Sequence, residues 1–209
     1  MSDASDVTRS MEATGAVAAS YAARRRRARP SGWWGVSLLI CTEAALFGTM
    51  IASYFYLQAQ VPEWPPPGVD KPIVTWPLVL TGVLLATSVP LFLAARAAKR
   101  GRTRATWLML ALALLVQCAY IGGQALLFVD DYNKSHPTEN AYTSIYFTLV
   151  GLHAAHVIVG MALIAFLLVR LLSGLTNYRL VGVRVVALYW YFVNLIAVPV
   201  VLTQVSPSL

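Results

Sequence analysis

Apolar residues in this chain do not alternate with polar ones; they gather in five unbroken runs, at about residues 34–58, 75–95, 105–128, 143–170 and 182–204. Each run is near the roughly 20 residues that a helix needs to cross about 30 Å of hydrocarbon. Continuous runs, in place of a two-residue alternation, argue against a barrel of strands. The pattern predicts an all-α fold, a polytopic bundle of five transmembrane helices occupying residues 33–209. Residues 1–32 show no apolar periodicity, are rich in Ala and Ser and end in an arginine run. They are expected to form a disordered basic tail. No apolar segment of the secretory type follows Met1, so the tail is expected to stay attached.

The ends of the runs carry Trp33, Trp34, Trp76, Trp107, Tyr142 and Tyr146, amphipathic rings that prefer the membrane–water boundary. Pro90 and Pro199 fall inside the second and fifth runs and should kink them. The longest connection, Gln60 to Thr75, holds Trp64-Pro65-Pro66-Pro67-Gly68, a turn or polyproline stretch. No soluble catalytic domain fits into connections of this size.

Composition agrees. The chain is 58% hydrophobic and 12% charged, with mean hydropathy +0.64, where soluble domains carry about 25% charged residues. Cys41 and Cys118 lie inside apolar runs and read as small buried hydrophobes. A net charge of +7 would suggest nucleic acid in a soluble protein, but the positions of the charges decide otherwise. Thirteen basic residues lie in the arginine run at Arg24 to Arg29 or at the connections between runs two and three and between four and five; the opposite connections hold only Lys71 and Lys134. The positive-inside rule then places the N-terminus in the cytoplasm and the C-terminus outside. Glu63, Asp70, Asp130, Asp131 and Glu139 all fall on the external side. The basic side is expected to meet lipid phosphates, and no nucleic-acid partner is expected.

An ionisable group near mid-membrane costs about 2.5 kcal/mol or more on insertion scales, which makes each one a functional candidate. There are three: Glu43, His153 and His156. Glu43 lies roughly 15 Å into the first run at the helical rise, and His153 is about as deep from the other side. His153 and His156, three residues apart, are expected to share a face. Gly151 and Gly160 beside them permit close helix contact. Gln117, Gln124, Asn194 and Gln204 are weaker, uncharged cases. Three readings stay open for the triplet: a hydrogen-bonded tie between helices, a group that takes part in proton movement or regulation, and a metal site of two imidazoles and a carboxylate. The chain has no Cys-x-x-Cys-His, Gly-rich phosphate loop or nucleophile elbow. No catalytic residue, cofactor or metal is expected in it.

Three segments carry a resemblance. Ser37 to Tyr56 (SLLICTEAALFGTMIASYFY) sets an acid before a Phe/Gly-containing stretch, and the external WPPP follows at Trp64–Pro67. Tyr146 to Gly160 (YFTLVGLHAAHVIVG) is similar to a Gly-Phe-His-Gly-x-His-Val-x-x-Gly pattern. Over roughly residues 33–204 the chain resembles subunit III of the haem-copper cytochrome c oxidases, in the short five-helix bacterial form. The resemblance implies a subunit without its own cofactor in a bacterial plasma membrane, packed on catalytic subunit I and near subunit II, within an oxidase or a larger supercomplex. Haem and copper would sit in those partners. It also implies bound phospholipid, support of proton uptake and protection from turnover inactivation, with Glu43 matching the family glutamate and His153 and His156 the paired histidines. Trp33, Trp34, Gly151, Gly160, Tyr191 and Asn194 are assigned to lipid contact or helix packing. In the fifth run the family's Tyr-Trp-His-Phe-Val-Asp reads YWYFVN, so Tyr191 and Asn194 replace ionisable groups. That departure keeps open a subunit-III-like accessory protein of a nitric oxide reductase. A small proton-coupled transporter is the alternative from another class, and a self-sufficient metalloenzyme a third.

Overall fold

The computed structural model describes residues 31–67, 74–174 and 177–208. The predicted tail lies outside them, except for Ser31 and Gly32, which open the first helix. Every regular element among the described residues is helical: α1 (Ser31–Ala59), α2 (Thr75–Ala86), α3 (Ser88–Lys99), α4 (Thr103–Lys134), α5 (Ala141–Leu171) and α6 (Asn177–Val205), with a 3-10 turn at Ser206–Ser208. Five segments are long and apolar enough to cross a membrane, α2 and α3 together making one of them. The chain is thus a multi-pass membrane protein.

The second span is broken at Thr87, three residues ahead of Pro90. Proline has no N–H to give the carbonyl of Ala86, and its ring crowds that carbonyl. The backbone tightens instead, with Thr87 N–H bonded to the Leu84 carbonyl at 3.1 Å. Pro199 lies inside α6, which continues through it to Val205. Gly101 ends α3 at φ 70° and Gly174 follows α5 at φ 88°, left-handed conformations that glycine reaches without a side-chain clash. Asn140 opens α5: its side chain accepts from the Thr143 N–H at 2.9 Å, while Asn140 N–H donates back to the Thr143 hydroxyl at 3.4 Å. This reciprocal cap satisfies two of the helix's orphan donors.

Two expectations change. The third span continues past residue 128 to Lys134, so Asp130 and Asp131 stand on helix and not in a loop. Lys134 supports the extension by pairing with Asp130, one turn back, at 2.5 Å, and Tyr146 donates to Asp131 at 2.6 Å. Cys41 and Cys118 are exposed on the perimeter; in lipid an apolar position need not be an inward one.

The helices are not equivalent. The broken span packs on α4 and α6, α4 packs on α5, and α5 packs on α6, closing a ring of four. α1 touches only α5 and α6 among these elements and rests on the outside of the ring. The main core joins Leu84, Leu91, Leu110, Val157, Ile164 and Trp190 of the ring, with Val36 and Ile40 of α1 packed against it. A second cluster, with Phe47, Tyr54, Tyr142, Leu149 and Val200, seats α1.

Candidate functional site

Glu43 and His156 meet on the seam between α1 and α5. His156 Nε2 lies 3.0 Å from Glu43 Oε2, and the other ring nitrogen lies 2.7 Å from the Leu152 carbonyl one turn back. A carbonyl only accepts, so Nδ1 carries a hydrogen and donates it. The contact with Glu43 then holds one further hydrogen. Either a carboxylic acid donates to a neutral imidazole, or an imidazolium donates to a carboxylate. Both forms are neutral as a pair, which is the form that a low-dielectric setting tolerates. The side chains of His156 and Glu43 are 14% and 23% exposed, so the pair reaches the surface of the bundle without standing clear of it.

His153 does not join this pair. Residues three apart on a helix are 60° apart around its axis, and here that angle separates two environments. His156 faces α1, whereas His153 turns into the ring, 5% exposed, with neither ring nitrogen hydrogen-bonded. Phe47 of α1 sets its ring edge-on to both, with centroids 5.1 Å from His156 and 6.5 Å from His153. Glu43, His153 and His156 therefore do not converge on one point, and among the described residues no three His, Cys, Asp or Glu side chains gather as a metal site.

The glycines differ in what they do. A methyl group on Gly160 would stand 2.5 Å from Trp190 Cζ3 and 2.6 Å from Cε3, so the absence of a side chain lets that indole into the core; on Gly151 the nearest atom would be Phe128 Cε2, 3.9 Å away. Trp190 is completely buried and donates from Nε1 to the Thr87 hydroxyl at 2.8 Å. One turn on, Asn194 donates to the Ser88 hydroxyl at 2.6 Å. Trp190 and Asn194 thus clasp the break in the second span, and Thr87 turns its own hydroxyl hydrogen onto the Leu84 carbonyl. Thr87 and Ser88 were not legible as site residues, although Thr-Ser-x-Pro in an apolar run marks a place where backbone needs polar company. Tyr191, between these two, faces outward, 37% exposed. It borders a groove of about 420 Å³ between α3 and α6 that also presents Phe92, Arg96, Lys99 and Arg184. Trp33 and Trp34 stand edge-to-face at 5.1 Å near the start of α1.

At the other end, Tyr54 receives a hydrogen bond from Trp64 Nε1 at 3.0 Å and shares one with Ser206 at 2.9 Å. Trp64 also stands edge-to-face on Tyr142 at 5.1 Å. The segment after α1, with its cis Trp64–Pro65 bond, is in this way tied to α1, α5 and the end of α6.

Comparison with known proteins bears on this arrangement. The model of the family described as cytochrome c oxidase subunit III matches residues 17–204. The chain belongs to the cytochrome c oxidase subunit III family. It is 29% identical over 169 residues to cytochrome c oxidase subunit 3 of Alkalihalophilus pseudofirmus, covering 79% of this chain and 80% of that one. It is 30% identical over 173 residues to the subunit 3 of Coturnix japonica, covering 78% of this chain and 64% of the relative. Cytochrome bo(3) ubiquinol oxidase subunit 3 of Pseudomonas aeruginosa is 28% identical over 167 residues, covering 79% and 78%. Subunit III membership places the chain in an oxidase complex of the respiratory type. Two of the three segments that carried the resemblance, around Glu43 and around His156, are pressed together by the fold.

Proposed function

We propose that this chain is the third subunit of a bacterial haem-copper oxidase in the plasma membrane, N-terminus cytoplasmic and C-terminus external. It contributes no cofactor of its own. It stabilises catalytic subunit I, which with subunit II carries the haem and copper, retains phospholipid and supports proton uptake during oxygen reduction. The observation that carries the reading is the Glu43–His156 pair. An acid and a base share one hydrogen at 3.0 Å on a seam that is open enough to answer to a neighbouring chain. Such a pair changes its proton location without changing its net charge, a useful property beside a proton-uptake route.

Lipid retention is supported by the groove between α3 and α6. Arg96, Lys99 and Arg184 gather at one end of it, and Phe92, Ala187 and Tyr191 line the rest. At about 420 Å³ it is within the 300–1,000 Å³ of typical ligand sites. Cations at one end and apolar walls below match a phosphate head group above an acyl chain.

The test is Glu43→Gln in the purified oxidase, with turnover, protons moved per electron and the rate of inactivation measured together. A change in the last two at normal assembly supports the reading. If all three match the parent while subunit I still co-purifies, Glu43 has no part in regulation. A visible spectrum of the complex pulled down with this chain separates the partners: haem a or o with oxygen consumption marks an oxidase, while haem b alone with nitric oxide reduction marks the accessory branch.

A further inference from the structure

The ring of four helices has a polar axis. Along α4, Gln117, Tyr120, Gln124, Leu127 and Asp131 follow one another at steps of three and four residues, which keeps them on one face. Two small cavities lie against that face. The deeper one, of about 10 Å³, is bordered by Thr81 of the second span, Tyr120 and Gln124 of α4, His153 of α5 and Gln204 of α6, so all four ring helices contribute. The outer one, of about 20 Å³, is bordered by Pro77, Gln124, Asp130, Asp131, Tyr146 and Gln204. Gln124 and Gln204 border both.

Polar groups on this axis lack protein partners. Both ring nitrogens of His153, which borders the deeper cavity, are unpaired; so are the oxygen and nitrogen of Gln117, which lies one turn deeper on the α4 stripe and borders neither cavity. His153 is 5% exposed and Gln117 completely buried. Leaving one such group unsatisfied costs about 1–3 kcal/mol, and buried water is the usual remedy where there is room for it, about 10–15 Å³ per molecule by the same measure. The size admits one or two waters and nothing larger. The chemistry suits water as well, since a neutral imidazole, two carboxamides and two hydroxyls ask for a ligand that both donates and accepts.

We propose that these cavities bind water. The waters form a hydrated shaft inside the ring, from Asp131 at the acidic end of the bundle to His153 near mid-membrane. His153 and His156, three residues apart, then serve different surroundings: His156 faces the seam with α1, and His153 is in contact with water from the acidic side. The shaft is built wholly from this chain, so it stands whether or not the oxidase reading above does.

X-ray radiolysis of the intact protein in its complex, in nanodiscs, tests this, because hydroxyl radicals form from bound water and mark the side chains beside it. Tyr120 and His153, 4% and 5% exposed, are expected to be modified several-fold faster than Trp190, which is completely buried and borders neither cavity. Gln124→Leu, which removes a side chain shared by both cavities, is expected to lower both rates while leaving exposed Tyr132 unchanged. Gln204→Leu removes the other shared side chain and serves if the first variant does not assemble. Wild-type rates for Tyr120 and His153 no higher than that of Trp190 would mean a dry axis and overturn the proposal. Fast labelling that neither variant lowers would mean that water arrives by another route, and the shaft as drawn is wrong.

Discussion

Glu43 reaches His156 across 113 positions of sequence, at 3.0 Å, while the imidazole's other nitrogen is already held by its own helix. Because Nδ1 is committed as a donor, a neutral His156 presents Nε2 as an acceptor. A glutamine at position 43 donates an amide hydrogen to it and keeps the tie. Glu43→Gln should therefore stay within about 1 kcal/mol of the parent, whereas Glu43→Leu leaves the nitrogen unpaired and loses about 1–3 kcal/mol, nearer the lower figure because the pair is part-exposed. Thermal unfolding in mild detergent distinguishes them; equal losses would mean that the hydrogen bond is not what holds α1.

Gly160→Ala should be among the most damaging small changes in the chain. The added methyl would meet the Trp190 ring at 2.5 Å, and the indole cannot withdraw without losing Thr87. Overpacking of this kind costs about 1–3 kcal/mol. Gly151→Ala, with open contact distance to Phe128, is expected within about 0.5 kcal/mol of the parent. The two melting curves, compared side by side, check the contrast.

Thr87→Val removes the acceptor of the Trp190 N–H inside the core. The stranded donor should lower stability by about 1–3 kcal/mol, and the tryptophan emission should shift. Thr87→Ser keeps the hydroxyl and should recover most of the loss. A valine variant as stable as the parent would mean that the Trp190 N–H does not depend on this hydroxyl, and any shortfall of serine measures the methyl group's packing.

Tyr54→Phe takes away the hydroxyl that Trp64 and Ser206 both use. The net effect on global stability should be only about 0.5–1.5 kcal/mol. Hydrogen exchange in residues 60–64 should rise markedly, because one anchor of the segment after α1 is gone; unchanged protection would show that the edge-to-face contact of Trp64 with Tyr142 suffices alone.

Arg184→Gln combined with Arg96→Gln should reduce the anionic phospholipid that co-purifies with the chain, counted by native mass spectrometry, and leave zwitterionic lipid unchanged. An unaltered lipid count would remove the α3–α6 groove as a retention site.

Much of this architecture was legible in the sequence because the bilayer asks a simple question of each segment. Five apolar runs gave five spans, and Pro90 announced the interruption of the second, since a missing N–H is a local fact. The end of the third span was misplaced because Asp130 and Asp131 look like loop residues; Lys134 and Tyr146, which satisfy them, come later in the chain. The separation of His153 from His156 was not legible either. Sixty degrees of helix rotation decides it, and only knowing that α1 lies outside a closed ring tells which side is which. The inward stripe of Gln117, Gln124 and Asp131 was readable as spacing, seven residues at each step, but not as a cavity until the other three helices stood around it.

Because α1 rests only on α5 and α6, the order of synthesis matters. Of the five spans α1 comes before the others in the chain, yet the helices on which it rests come last, so its carboxyl has no matching histidine until α5 follows. The seating of α1 is thus tied to the arrival of α5 and α6, the last two of the five spans.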